Sequence, residues 1–172
     1  FHLLIIEKED DIIHTLVKEQ IPAKIAKAGI NQGIISDEAI ERALTVLRFF
    51  RQQIDEQRVP VENCKALGTS AIRNAKNGAE FCQNIERETG ILIEVISGNR
   101  EAELIYEGVR QALDLGEAPS LIMDIGGGSV EFIICNASRI FWKQSFEIGG
   151  QRLLEKFVHT DPCPILLVQP TD

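Results

Sequence analysis

Residues Leu121 to Ile134 read "LIMDIGGGSVEFII": three consecutive glycines between two apolar runs, with Asp124 just before them and Glu131 just after. Glycine weakens a strand and loses more backbone entropy on folding than any other residue. A triple run where an apolar hairpin must turn therefore calls for a compensating role. In Walker and dinucleotide-binding loops the glycines lead into a helix whose amino end helps to hold phosphate. Here both flanks have a β pattern and no GK[ST] follows. The stretch reads as a tight hairpin in which Gly126, Gly127 and Gly128 aim backbone N–H groups at an anion, with the Ser129 hydroxyl as a further donor. Asp124 and Glu131 suit ligation of Mg²⁺, directly or through water, or the orienting of a water. The competing reading is a glycine-rich hairpin with two incidental carboxylates.

Outward from this hairpin the chain alternates strand and helix patterns. Phe1–Glu7 and Ile12–Val17 read as strands around the charged turn "KEDD". Ser36 suits the cap of a helix that carries Asp37 and Glu38 in its first turn, with Ile40, Ala43, Leu44, Leu47 and Phe50 on one face. "CKALGTS" is a short strand entering a turn, and "NGAEFCQNIERETG" a helix with a capping box (Asn77 with Glu80) and a closing Gly90. "ILIEVI" is a strand and "SGNREAELIYEGVRQAL" a turn and helix. A linker at Gly116–Ser120 precedes three strands and the start of a helix at "GGQRLLEKFV". The order predicts an α/β fold with an antiparallel meander opening each of two halves. The proline-rich end, "TDPCPILLVQPTD", cannot continue that helix regularly.

The 172 residues suffice for one domain, or one and part of a second. A net charge of −8 disfavours non-specific binding to nucleic acid or to an anionic membrane. An anionic ligand must then be held locally, by amides, a metal ion or a few arginines. Cys64, Cys82, Cys135 and Cys163 form no CxxC pair, and reduced structural thiols are expected. No apolar run approaches a membrane span, and "FHLLIIE" lacks the features of a signal peptide. A cytoplasmic protein is expected.

Two further segments carry candidate chemistry. In "GTSAIR", Thr69 and Ser70 can bond phosphate oxygens and Arg73 lies one helical turn on, placed to pair with charge. The plain alternative is a helix cap with a surface arginine. In "SGNREAELIYEGV", Glu101 falls in the first turn of a helix at the tip of a strand, where a carboxylate can act as general base on water. Its plain alternative is an acid placed to suit the helix dipole.

Taken together, these stretches resemble the exopolyphosphatase/guanosine pentaphosphate phosphatase (Ppx/GppA) family. The resemblance lies in "FHLLI", "ISDEAIERAL", "GTSAIRNAKNGAEF", "IEVISGNREAELIYEGV", "LIMDIGGGSVEFI" and "EIGGQRLLEKF", and runs to about Val158. It implies an actin-like ATPase architecture of two ribonuclease-H-like domains facing a phosphate-binding cleft. One nearly complete copy is expected over residues 1–116, the opening meander of a second over 117–158, and a tail of unassigned role over 159–172. The implied reaction is Mg²⁺-dependent removal of the terminal phosphate of polyphosphate or guanosine pentaphosphate. By resemblance Glu101 corresponds to the catalytic base and Asp124 and Glu131 to metal-associated carboxylates. Gly126 to Ser129 correspond to the second phosphate loop, and Arg73 to a phosphate-contacting arginine. The family's first phosphate loop would precede Phe1, so this stretch alone is expected to be inactive, with Ile133, Ile140, Phe141 and Phe146 partly exposed on an uncovered sheet. A homodimer of the complete chain is a candidate assembly. The alternative function is a non-catalytic phosphate or nucleotide sensor on the same fold, which has no use for a base at Glu101; a sugar or acetate kinase is a weaker third. Gly127→Val is expected to place a branched side chain where backbone must approach phosphate and so to lower binding and turnover, and Gly33→Ala to do little.

Overall fold

Short apolar runs near the amino end pair into an antiparallel hairpin, β1 (His2–Glu9) and β2 (Ile12–Gln20), with a register shift between Ile5 and Ile6. The computed structural model describes residues 1–10, 12–27 and 29–158; the proline-rich segment 159–172 lies outside the described residues. Helix α1 (Asp37–Glu56) starts where Ser36 Oγ accepts the Ala39 N–H, and its acidic first turn faces the positive end of the dipole. A parallel pair follows, β3 (Ala66–Gly68) and β4 (Ile93–Val95). Between them lie the four-residue α2 (Ser70–Arg73) and α3 (Gly78–Thr89), the latter closed by Gly90 at φ 70°. That left-handed conformation is the one glycine adopts without a Cβ penalty.

The capping box expected at Asn77 and Glu80 does not form. The Asn77 amide instead accepts the Ile35 N–H at 3.0 Å and donates to the Ile35 carbonyl at 2.8 Å, satisfying both polar groups of a buried residue. A long-range tie has displaced a local one.

The helix α4 (Gly98–Ala112) is capped by Ser97, whose Oγ accepts the Arg100 N–H. The meander β5 (Ser120–Ile125), β6 (Val130–Cys135) and β7 (Ile140–Phe146) is antiparallel throughout, and α5 (Gly150–Phe157) follows. Two cores result. Ala43, Leu47 and Phe50 of α1 pack with Phe81 and Ile85 of α3, against Leu3 of β1 and Ile93 of β4. Ala102 and Tyr106 of α4 pack on Ile133 and Cys135 of β6. Helix α4 thus lies on the second meander and carries its own first turn, with Glu101, to that sheet's edge. The fold is α/β, with a two-stranded hairpin where the first meander was expected and a three-stranded meander in the second half.

Among the described residues nothing covers the opposite face of the second meander; Phe141 and Phe146 are exposed as expected, but Ile133 is not. Ile133 is fully buried and Ile140 half-buried under α4. Leu121, Phe132, Ile134, Trp142, Phe146 and Ile148 line the open side. Strand alternation assigns faces, and α4 chooses which one is covered.

Candidate functional site

Strands β3, β6 and β7 and helices α2 and α4 come together at one junction. Strand β3 ends at Gly68, whose carbonyl accepts the Ile96 N–H, so α2 and α4 start side by side. The Cβ that Gly98 lacks would overlap the Ser145 side chain, so α4 meets β7 closely only because a glycine stands there. Glu131 and Ser145 are register partners on the sheet face turned to α4.

Arg73 is the hub. Its Nη1 donates to Glu101 Oε2 and to the Ile96 carbonyl, each at 3.0 Å, and its Nη2 to Glu147 Oε1 at 3.3 Å. Glu101 is half-buried; burial pushes its pKa up, the Arg73 hydrogen bond opposes this, the Glu131 charge raises it, and a hydrogen bond from Thr69 lowers it. The net direction is upward, which suits a proton acceptor near neutral pH. Glu131 is 1% exposed and accepts the Ser145 hydroxyl at 2.7 Å. Glu147 accepts Ser70 Oγ at 2.6 Å and Arg152 Nη2 at 2.9 Å. Burial pushes its pKa up, and the donors Ser70, Asn74 and Arg73 with the charge of Arg152 outweigh that, leaving it below the usual carboxylate value.

The glycine loop has a defined polarity. The carbonyls of Gly126, Gly127 and Gly128 accept N–H groups of Gly150, of Gln151 and Arg152, and of Gly149, in that order. Arg152 Nε adds a 2.8 Å bond to the Gly128 carbonyl. The loop therefore caps α5, satisfying the donors that a helix start leaves orphaned. Among the described residues the N–H groups of Gly127, Gly128 and Ser129 have no partner of their own. Space around the loop differs from one glycine to the next. Gly127 has room for a Cβ, whereas one on Gly128 would overlap Ser70 and one on Gly149 the Gly127–Gly128 backbone. Gly33, expected to accept alanine, has φ +68°, a conformation that disfavours any L side chain.

Of the residues singled out from sequence, Thr69, Ser70, Arg73, Glu101, Glu131, Gly128 and Ser129 gather about this junction. Asp124 is the outlier: it faces Glu131 across the β5–β6 register but is exposed and has no hydrogen-bond or ion-pair partner among the described residues. Among the described residues no three His, Cys, Asp or Glu side chains come together as a metal cage. Carboxylate oxygens still suit Mg²⁺ in kind, in the mode where one or two carboxylates are completed by water and phosphate oxygens. Sequence reasoning missed Glu147, Ser145 and Arg152. The signal for two of them was "EIGGQR", where an acid and an arginine flank a glycine pair that only a close backbone approach explains. A cavity of about 250 Å³ opens beside the junction, lined by Arg73, Gly98, Ser145 and Glu147 among others.

The junction thus joins a loop whose amides are unpaired among the described residues, a half-buried glutamate with a raised pKa and an arginine that holds two carboxylates. The chain belongs to the Ppx/GppA phosphatase family, whose sequence profile matches residues 4–168. It is 37% identical over 161 residues to a bifunctional 3-dehydroquinate synthase/phosphatase of Fusobacterium nucleatum, covering 90% of this chain and 24% of that protein. It is 35% identical over 150 residues to a guanosine-5'-triphosphate,3'-diphosphate pyrophosphatase of Aeromonas hydrophila, covering 87% and 29%. Among solved structures, an exopolyphosphatase from Cytophaga hutchinsonii superposes with a TM-score of 0.91 at 49% identity, over 95% of this chain and 52% of that one. The Aquifex aeolicus Ppx/GppA enzyme gives 0.74 at 30% identity, over 95% and 54%. The chain thus spans about half of the solved relatives and under a third of the curated ones.

Proposed function

We propose that this chain contributes the catalytic base and one phosphate loop of an enzyme that hydrolyses the terminal phosphoanhydride bond of inorganic polyphosphate or guanosine pentaphosphate. The observation that carries the reading is the polarity of the glycine loop. Its carbonyls are occupied by α5, and the N–H groups of Gly127, Gly128 and Ser129 are left for an anion. Thr69, Ser70 and Arg73 are the remaining phosphate donors. Glu101 removes a proton from water as the water oxygen attacks the terminal phosphorus; the anhydride P–O bond breaks and the shortened chain leaves with its electron pair. Mg²⁺, held by Asp124 and Glu131, would neutralise phosphate charge when bound. The two units proposed are residues 1–116 and 117–158, with α4 reaching across to supply Glu101. The relatives' names and the family support this reading.

The test is phosphate release by the full-length protein from polyphosphate and from guanosine pentaphosphate, with Mg²⁺ and after chelation. Release from at least one, lost on chelation, is expected. Tight binding of both without release would overturn hydrolysis and favour the sensor.

A further inference from the structure

Arg73 already holds two carboxylates, so a phosphoryl group can reach it only if one of them gives way. The two are not equal. Glu101 lies 3.0 Å from Nη1 with its side chain 16% exposed, while Glu147 lies 3.3 Å from Nη2 with its side chain 42% exposed. The longer contact is the one that faces water and the cavity. Around it, Ser70 Oγ and Arg152 Nη2 converge on the other Glu147 oxygen. Donors arranged to satisfy a carboxylate also satisfy a phosphoryl oxygen, since both are oxyanions that accept charge-assisted hydrogen bonds.

The geometry points to Glu147 as an internal anion that occupies a phosphoryl-oxygen subsite formed by Ser70, Arg73 and Arg152, and that incoming phosphate must displace. This goes beyond the loop and the base, although its effect on turnover rests on the function proposed above. Arg152 is the part of the subsite that cannot leave. Its Nε and Nη1 are bound to the Gly128 and Ile30 carbonyls, so only Nη2 changes partner. The competing carboxylate lowers affinity for small anions, which bring one phosphoryl group. A polyanion is penalised less, because its other phosphates gain contacts elsewhere.

Glu147→Gln removes the competing charge and keeps the shape. In the full-length protein, orthophosphate binding by titration calorimetry is expected to tighten about fivefold, the scale of one partly exposed charge interaction. The KM for the phosphorylated substrate should fall with it. Unchanged or weaker orthophosphate binding in the variant would overturn the proposal, whatever happens to turnover. If the variant does not fold, Glu147→Asp, one methylene shorter, gives the same comparison with the same expected direction. Absence of phosphate release from the wild-type protein would sink the proposed hydrolysis and leave the binding comparison standing.

Discussion

Ile133 and Ile134 are neighbours on β6 with opposite surroundings. Ile133 is fully buried against α4, while Ile134 is 39% exposed on the other side of the same sheet. The difference runs the length of the meander. The α4 side continues upward from Ile133 into Glu131, Ser145 and the Glu101–Arg73 pair. The open side carries an apolar groove of Leu121, Phe132, Ile134, Trp142, Phe146 and Ile148, with Gln144 opposite Phe132 in the register. A closed apolar core beneath a polar rim lowers the local dielectric around Glu101, which is why burial is the largest influence on its pKa. The open face does no such work for the site.

That contrast can be broken at its polar tip first. Glu101→Gln keeps the Arg73 contact in shape and removes the basic lone pair; turnover in the full-length protein should fall on the order of 10²–10⁴-fold. Steady-state kinetics with retained substrate binding is the check, and unchanged turnover removes Glu101 from the chemistry.

One layer below, Ile133→Ala should cost about 2–5 kcal/mol in denaturant unfolding, as a fully packed branched side chain leaves a cavity. Ile134→Ala should cost well under half of that. Equal losses would mean that the open face is covered in solution.

The loop offers a finer contrast. Gly128→Ala drives a methyl into Ser70 and should destabilise by about 1–3 kcal/mol, with phosphate affinity falling, whereas Gly127→Ala, with space around its Cβ, should change either measure little. Reversal of that order would contradict the packing of the loop against α2.

The smallest effect concerns pH. A general base works deprotonated, so kcat/KM rises as pH climbs through the Glu101 pKa of the free enzyme. Because burial lifts that pKa, the acid limb should lie above the ordinary glutamate range. Thr69→Val removes a hydrogen bond that lowers it, so the limb should move further up. A downward move would reverse the assigned cause.

Much of this was legible in the sequence because it depends on local pattern. Ser36 and Gly90 mark helix ends by their own side-chain or backbone chemistry, and both do so in the structure. The strand order and the glycine hairpin follow from alternation and turn composition. What escaped was set by contacts distant in sequence. Asn77 leaves its expected cap for Ile35, 42 residues away, and Glu147 finds Ser70 at a separation of 77. Ile133 was expected on the exposed side of the second meander because alternation alone does not say where a helix will lie. For the same reason, no local pattern marked the crowding at Gly128 and Gly149.

The capping of α5 by the glycine loop also has a mechanical side. Four backbone bonds and the Arg152 Nε contact join residues 126–128 to 149–152, so loop and helix must travel as one stiff lever. Beyond Glu147, Arg152 pins that lever to the first half of the chain by donating to the Ile30 carbonyl, and Asn31 Nδ2 donates to the Arg152 carbonyl. A loop with three glycines would ordinarily be slack. Here all three glycine carbonyls are engaged by the start of α5, which opposes flipping of their peptide planes.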